Sequence, residues 1–106
     1  MEKYIQTPTN EEVKIFVKEN FSCVETETVS VSKKIENDSF VCYWIDFQMI
    51  APSYRTITKL VNFLSESIKR VDPMIYAIKK ETFRVVVMGN ILTEEEKQNK
   101  VVEVEA

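Results

Sequence analysis

The sequence predicts an α+β two-layer sandwich with the element order (β)αββαββ and a short C-terminal tail. Three observations carry that expectation. Residues 9–20 and 53–71 place apolar side chains at helical spacing, i, i+3, i+4. Four other segments, 23–34, 40–50, 74–79 and 82–88, are rich in Val, Ile, Thr, Phe and Tyr. Pro, Asn, Asp or Gly stands at most boundaries between them.

In chain order, Lys3-Tyr4-Ile5-Gln6 is a short candidate strand with only Tyr4 and Ile5 to bury, ended by Pro8-Thr9. Thr9 with Glu12 three residues later is a capping box for the first helix, which runs to about Asn20. Val13, Phe16 and Val17 share its inner face, joined by Phe21, while Ile15 points outward. Val29 and Val31 alternate with Thr28, Ser30 and Ser32, a strand with one polar face. Glu36-Asn37-Asp38-Ser39 turns the chain into its most apolar stretch, Phe40 to Ile50, and completes a hairpin. Pro52-Ser53 starts the second helix, expected over 53–71 on the stripe Ile57, Leu60, Val61, Leu64, Ile68 and Val71, with Asp72-Pro73 as its stop. Residues 74–79 and 82–88 then form two strands around a Lys-Lys-Glu turn, or one long bent strand. Gly89-Asn90 is expected to break the sheet, and Thr93 with Glu96 to cap a short final helix. Val101, Val102 and Val104 add an edge strand or fray.

The first six elements resemble a ferredoxin-like βαββαβ sandwich; without the strand at 3–6, a related open αββαββ sandwich remains. The expected organisation is one α+β domain over residues 1–90 followed by an acidic helix or tail over 91–106.

Composition narrows the function. With 106 residues, 44% hydrophobic and 29% charged, the chain has room for one ordinary core. No apolar run reaches the roughly 18 residues that would span a bilayer, and Met1-Glu2-Lys3-Tyr4 lacks signal-peptide character, so no membrane association and a cytoplasmic location are expected. A net charge of −3 disfavours non-specific nucleic-acid binding. The charge is nonetheless segmented. Residues 1–50 hold 9 acids and 5 bases, residues 51–90 hold 3 and 7, and residues 91–106 hold 5 and 2. Cys23 and Cys42 have no third Cys and no His beside them, so neither a metal nor any other cofactor is expected, and both read as reduced, mostly buried thiols.

Catalytic vocabulary is sparse. Without His there is no common general base, and a single glycine, Gly89, cannot build a phosphate-cradling loop. Asp46, inside Trp44-Ile45-Asp46-Phe47, is the one acid on which a carboxylate-dependent activity would rest, and a solvated or hydrogen-bonded acid on an open sheet face is the simpler account. No enzyme is therefore expected. Glu94-Glu95-Glu96 reads as the first turn of a solvated helix.

Two surfaces remain. If Val41, Tyr43, Ile45, Phe47 and Met49 face the core, then Phe40, Cys42 and Trp44 face outward, with Arg84, Val86 and Met88 beside them. Aromatics, Met and Arg are the residues enriched at interface cores, which points to a protein partner or self-association. Sheet aromatics also stack bases in RNA-recognition modules, but Ser39 to Phe47 lacks the glycine and basic residues of that signature. The second surface is a basic stripe on the outer face of the 53–71 helix, Arg55, Lys59, Lys69 and Arg70, extended by Lys79 and Lys80, with Glu66 interrupting it. The expected function is a small non-enzymatic domain that binds protein stoichiometrically, as a homodimer or docked on a larger protein. This profile is similar in style to accessory proteins of phages and mobile elements, including inhibitors of host defence enzymes, whose place would be the host cytoplasm. The alternative is a nucleic-acid-binding domain using the basic stripe of residues 55–84.

Overall fold

Thr9 opens the first helix as its capping box requires. In the computed structural model, which describes residues 3–98, its hydroxyl accepts the Glu12 N–H at 3.1 Å while the Glu12 carboxylate accepts the Thr9 N–H at 3.2 Å. Helix α1 spans Asn10–Asn20 and buries Val13 and Val17, with Phe21 closing its end. Ile15 is exposed, as its place on the outer face dictates.

The strand expected from residue 23 begins later. Cys23 takes a left-handed φ of 65°, and Thr26–Thr28 form a single 3-10 turn. There the Thr28 hydroxyl donates to the Glu25 carbonyl at 2.6 Å and accepts the Gln48 N–H at 3.0 Å. The bond to Glu25 is local and competes with strand pairing, which is thereby delayed. Strand β1 therefore covers Ser30–Glu36, and Asn37 and Asp38, both at positive φ, turn it into β2, Phe40–Gln48. Asn and Asp are the non-glycine residues that accept this conformation most readily.

The second helix is shorter than its stripe implies. Helix α2 spans Tyr54–Leu64, with the Ser53 hydroxyl accepting the Thr56 N–H at 3.1 Å. Beyond Leu64, the Ser65 hydroxyl turns back to the Val61 carbonyl at 2.7 Å and the chain enters a strand, β3, Ile68–Lys79. The stripe at 57, 60, 61, 64, 68 and 71 misleads because Ile68 reaches the same core from β3, paired with Ile91 and 1% exposed. Pro73 is then no helix stop. It lies within β3 on the sheet edge, where a proline without an N–H is tolerated.

Glu81, at φ 60°, closes the tight turn into β4, Thr82–Ile91, so the two segments are separate strands. Strand β4 continues through Gly89 and Asn90 rather than breaking there. Gly89 is required by close approach: a Cβ at this position would meet Ile68 Cγ2 and lie 2.7 Å from the Lys69 carbonyl oxygen. After it, Thr93 and Glu96 form the reciprocal capping bonds, both 3.1 Å, that open a helical turn over 94–98. Val101, Val102 and Val104, expected as an edge strand or a fraying end, lie outside the described residues.

The four strands form one antiparallel sheet in the order β1-β2-β4-β3. The strand expected at residues 3–6 is reduced to a single bridge between Tyr4 and Thr93, flanked by the Ile5 N–H on the Leu92 carbonyl at 2.9 Å. With only Tyr4 and Ile5 to bury, this segment stays short. The described elements thus run αββαββ, an α+β arrangement whose two long helices share one core with one sheet face. Val41, Tyr43, Ile45 and Phe47 of β2 and Val85 and Val87 of β4 are all at most 1% exposed beneath those helices. Phe16 of α1 and Phe63 of α2 stack at 4.3 Å, so Phe63 is engaged within the helix layer.

Candidate functional site

Side-chain alternation along β2 forces every second residue onto the face opposite the helices. The strand pairing then assembles that open face in rows. One row reads Ser32, Trp44, Val86 and Met74; the next on one side reads Lys34, Cys42, Met88 and Asp72; the next on the other reads Ser30, Asp46, Arg84 and Tyr76. Phe40 pairs with Asn90 at the end of the face. The six residues singled out from the sequence, Phe40, Cys42, Trp44, Arg84, Val86 and Met88, therefore lie on one face of two adjacent strands.

Their exposure is uneven in an informative way. Trp44 is 51% exposed, whereas Val86, its direct cross-strand neighbour, is only 6% exposed. Phe40, Cys42, Arg84 and Met88 are half-buried. At the centre of the face a buried Val86 thus stands beside one large, half-exposed aromatic. Burial raises the pKa of the Cys42 thiol, partly offset by a hydrogen bond with Trp44, so the thiol stays protonated at neutral pH.

The charged side of the site is an ion pair. Arg84 Nε donates to Asp46 Oδ1 at 2.8 Å and Nη2 to Oδ2 at 3.0 Å, the two-pronged geometry that guanidinium and carboxylate favour. The Asp46 bonds hold the Arg84 pKa above its ordinary value. The Arg84 guanidinium also lies 5.9 Å from the centroid of the Trp44 ring, within cation–π range. Asp46 is therefore satisfied by a structural partner, which explains how an acid sits within so apolar a strand.

Two residues of the face escape sequence reasoning. Met74 pairs with Val86 and Tyr76 with Arg84, extending the patch to β3. The turn at Lys80-Glu81 alone would set position 76 opposite 85, on the core face; the register shift between Ala77 and Lys79 brings Tyr76 opposite Arg84 instead, and nothing in the sequence announces that shift.

The basic residues do not form one helical stripe. Arg55 and Lys59 lie on α2, Lys69 and Arg70 at the start of β3, and Lys79 and Lys80 at its far end. The stripe dissolves because α2 stops at Leu64, and Lys69 is bonded to Glu96. Both cysteines are free thiols; Cys23 is exposed rather than buried, since the left-handed turn after α1 carries it outside the core. Among the described residues no cluster of three or more His, Cys, Asp or Glu side chains forms, and no helix is long and apolar enough to cross a membrane. Ile91 ends β4, and the Leu92 N–H donates to the Ser67 carbonyl at 3.0 Å.

No protein-family model, curated protein or solved structure matches the chain.

Proposed function

We propose that this chain is a non-enzymatic protein-binding domain that acts stoichiometrically, with the open sheet face as its docking surface. The observation that carries the reading is Trp44, half exposed at the centre of that face, beside Val86 and the guanidinium of Arg84. A large aromatic with half-buried Cys42 and Met88 in the next row, and an Arg held in place by Asp46, has the composition of a binding hot spot. A contiguous apolar patch of this kind marks an interaction site more often than an idle surface. The partner that suits a small domain with one such face is a larger protein, in the manner of an accessory inhibitor.

The test is affinity capture with wild type, Trp44→Asp and Tyr54→Asp. Tyr54 is 89% exposed at the start of α2 and serves as a control for loss of a surface aromatic elsewhere. A protein captured by wild type and by Tyr54→Asp, and lost with Trp44→Asp, supports the reading. Equal capture by all three places binding elsewhere and removes it.

A further inference from the structure

Strand β3 is interrupted by a bulge between Lys69 and Asp72, where Arg70 takes a left-handed φ of 57°. The other residues at positive φ, Cys23, Asn37, Asp38 and Glu81, all lie in turns. Arg70 alone adopts it inside a strand, where no chain reversal calls for it. Gly89, the only glycine of the chain, seats the bulge. A Cβ there would lie 2.7 Å from the Lys69 carbonyl oxygen and 3.4 Å from that of Arg70. Bulges re-aim side chains, and residues held in this conformation cluster at ligand sites.

Arg70 lines a cleft of about 550 Å³ at the Phe40–Asn90 end of the sheet. Its other walls come from Ser39 before β2, Asn90 on β4, Tyr4 at its bridge to Thr93, and the helical turn over 94–98. Small-molecule sites are of this size.

The charges of the cleft identify its ligand. Lys69 and Glu96 neutralise each other in an ion pair, and Glu96 also accepts the Thr93 N–H. One cation and one anion are left over, Arg70 and Glu95, both exposed. Neither has a partner among the described residues, and they line one cleft without bonding to each other. The half-buried Ser39 hydroxyl and Asn90 amide are also free there, so they offer further donors and acceptors. Phosphate would meet Arg70 but be repelled by Glu95, and a simple cation would meet the reverse. A ligand carrying both signs satisfies both.

We propose that this cleft binds a free α-amino acid, its carboxylate on the Arg70 guanidinium and its ammonium on the Glu95 carboxylate. Ser39 and Asn90 add hydrogen bonds, and the Tyr4 ring, 37% exposed, flanks the ligand's side chain. The inference does not depend on the docking role of the open face, because Trp44 lies two rows away from Asn90.

Saturation-transfer and titration NMR with each of the common amino acids tests it on the full chain. At least one is expected to bind with a Kd of about 1 mM or tighter. Arg70→Gln and Glu95→Gln, both at exposed positions, keep the wild-type Tm and each weakens that binding about tenfold. The N-acetyl form of the ligand lacks the ammonium. It binds wild type about tenfold more weakly than its parent and is not weakened further by Glu95→Gln. The carboxamide form behaves in the same way toward Arg70→Gln. Trp44→Asp binds the amino acid as wild type does. Absence of binding by every amino acid at about 10 mM overturns the proposal. So does binding unaltered by Arg70→Gln or by Glu95→Gln, an N-acetyl form as tight as its parent, or binding lost in Trp44→Asp. Inorganic phosphate bound more tightly than any amino acid also overturns it, since the cleft is then an anion site.

Discussion

Asp46 and Arg84 face each other across β2 and β4 and lock into a two-pronged ion pair on the side of the sheet away from the helices. The pair does two things at once. It satisfies an acid set in an apolar strand, and it fixes the guanidinium 5.9 Å from the Trp44 ring. Because both side chains remain partly in water, its contribution to stability is small. Asp46→Asn is therefore expected to fold normally and to lower Tm less than Leu60→Ala does, as thermal unfolding will show. Its effect on the site is expected to be larger, since Arg84 loses its second anchor. Partner affinity falls in Asp46→Asn while the fold is retained.

Gly89 is held to zero side chain by its neighbours across the sheet. An added Cβ would collide with Ile68 Cγ2 and the Lys69 carbonyl. Gly89→Ala is expected to destabilise by about 1–3 kcal/mol, the usual cost of overpacking. Adding Ile68→Ala relieves the side-chain clash only, because the carbonyl stays in place. Chemical denaturation of Gly89→Ala and of the double variant checks this, and no recovery is expected in the latter.

Tyr43 is 0% exposed, and its hydroxyl donates to the Pro8 carbonyl at 2.6 Å, tying the segment before α1 to β2. Tyr43→Phe is expected to lose about 1 kcal/mol, the net worth of a hydrogen bond of this kind. Burial pushes the Tyr43 phenol above its ordinary pKa, because the charged form is poorly solvated there. The unfolded chain therefore ionises first as pH rises. The stability linked to this phenol is complete below the ordinary tyrosine pKa and is lost as pH climbs through the raised folded value. Tyr43→Phe should lose stability less steeply than wild type in alkaline solution, measured by denaturant midpoints across that range.

The last capping turn responds to acid in the opposite sense. The Lys69 bond, and then the Thr93 N–H, hold the Glu96 carboxyl below its ordinary range. As pH falls, the unfolded chain takes up the proton first. The stabilisation is complete above the ordinary glutamate pKa and is lost as pH falls through the lowered folded value. Glu96→Gln should therefore be less stable than wild type at neutral pH and converge with it in strong acid. A difference that persists at the lowest pH contradicts this linkage.

What the sequence made legible was whatever depends on neighbours along the chain. Thr9 with Glu12 and Thr93 with Glu96 announce their caps in four residues, and the period of two from Phe40 to Gln48 assigns Val41, Tyr43, Ile45 and Phe47 to the core. The same period put Phe40, Cys42 and Trp44 on the opposite face. Residues 65–73 were not legible. Ile68 and Val71 fit a helical stripe as well as a strand, and only pairing with β4, remote in sequence, decides between them. That error built the basic stripe, whereas Met74 and Tyr76, inside the expected strand 74–79, were hidden by the register shift between Ala77 and Lys79. The strand at residues 3–6 failed for a different reason, since a segment with two apolar residues gains too little burial to order a full ladder.

The most direct test of the docking surface is the affinity of the captured partner for wild type against Trp44→Asp, with each variant's fold checked by its thermal unfolding. If Trp44 is the centre of the site, the substitution weakens binding by about 30-fold or more, the mark of a hot-spot residue, while Tyr54→Asp binds as wild type does. An unchanged affinity in a folded Trp44→Asp contradicts the account and moves the binding surface away from the open face of the sheet.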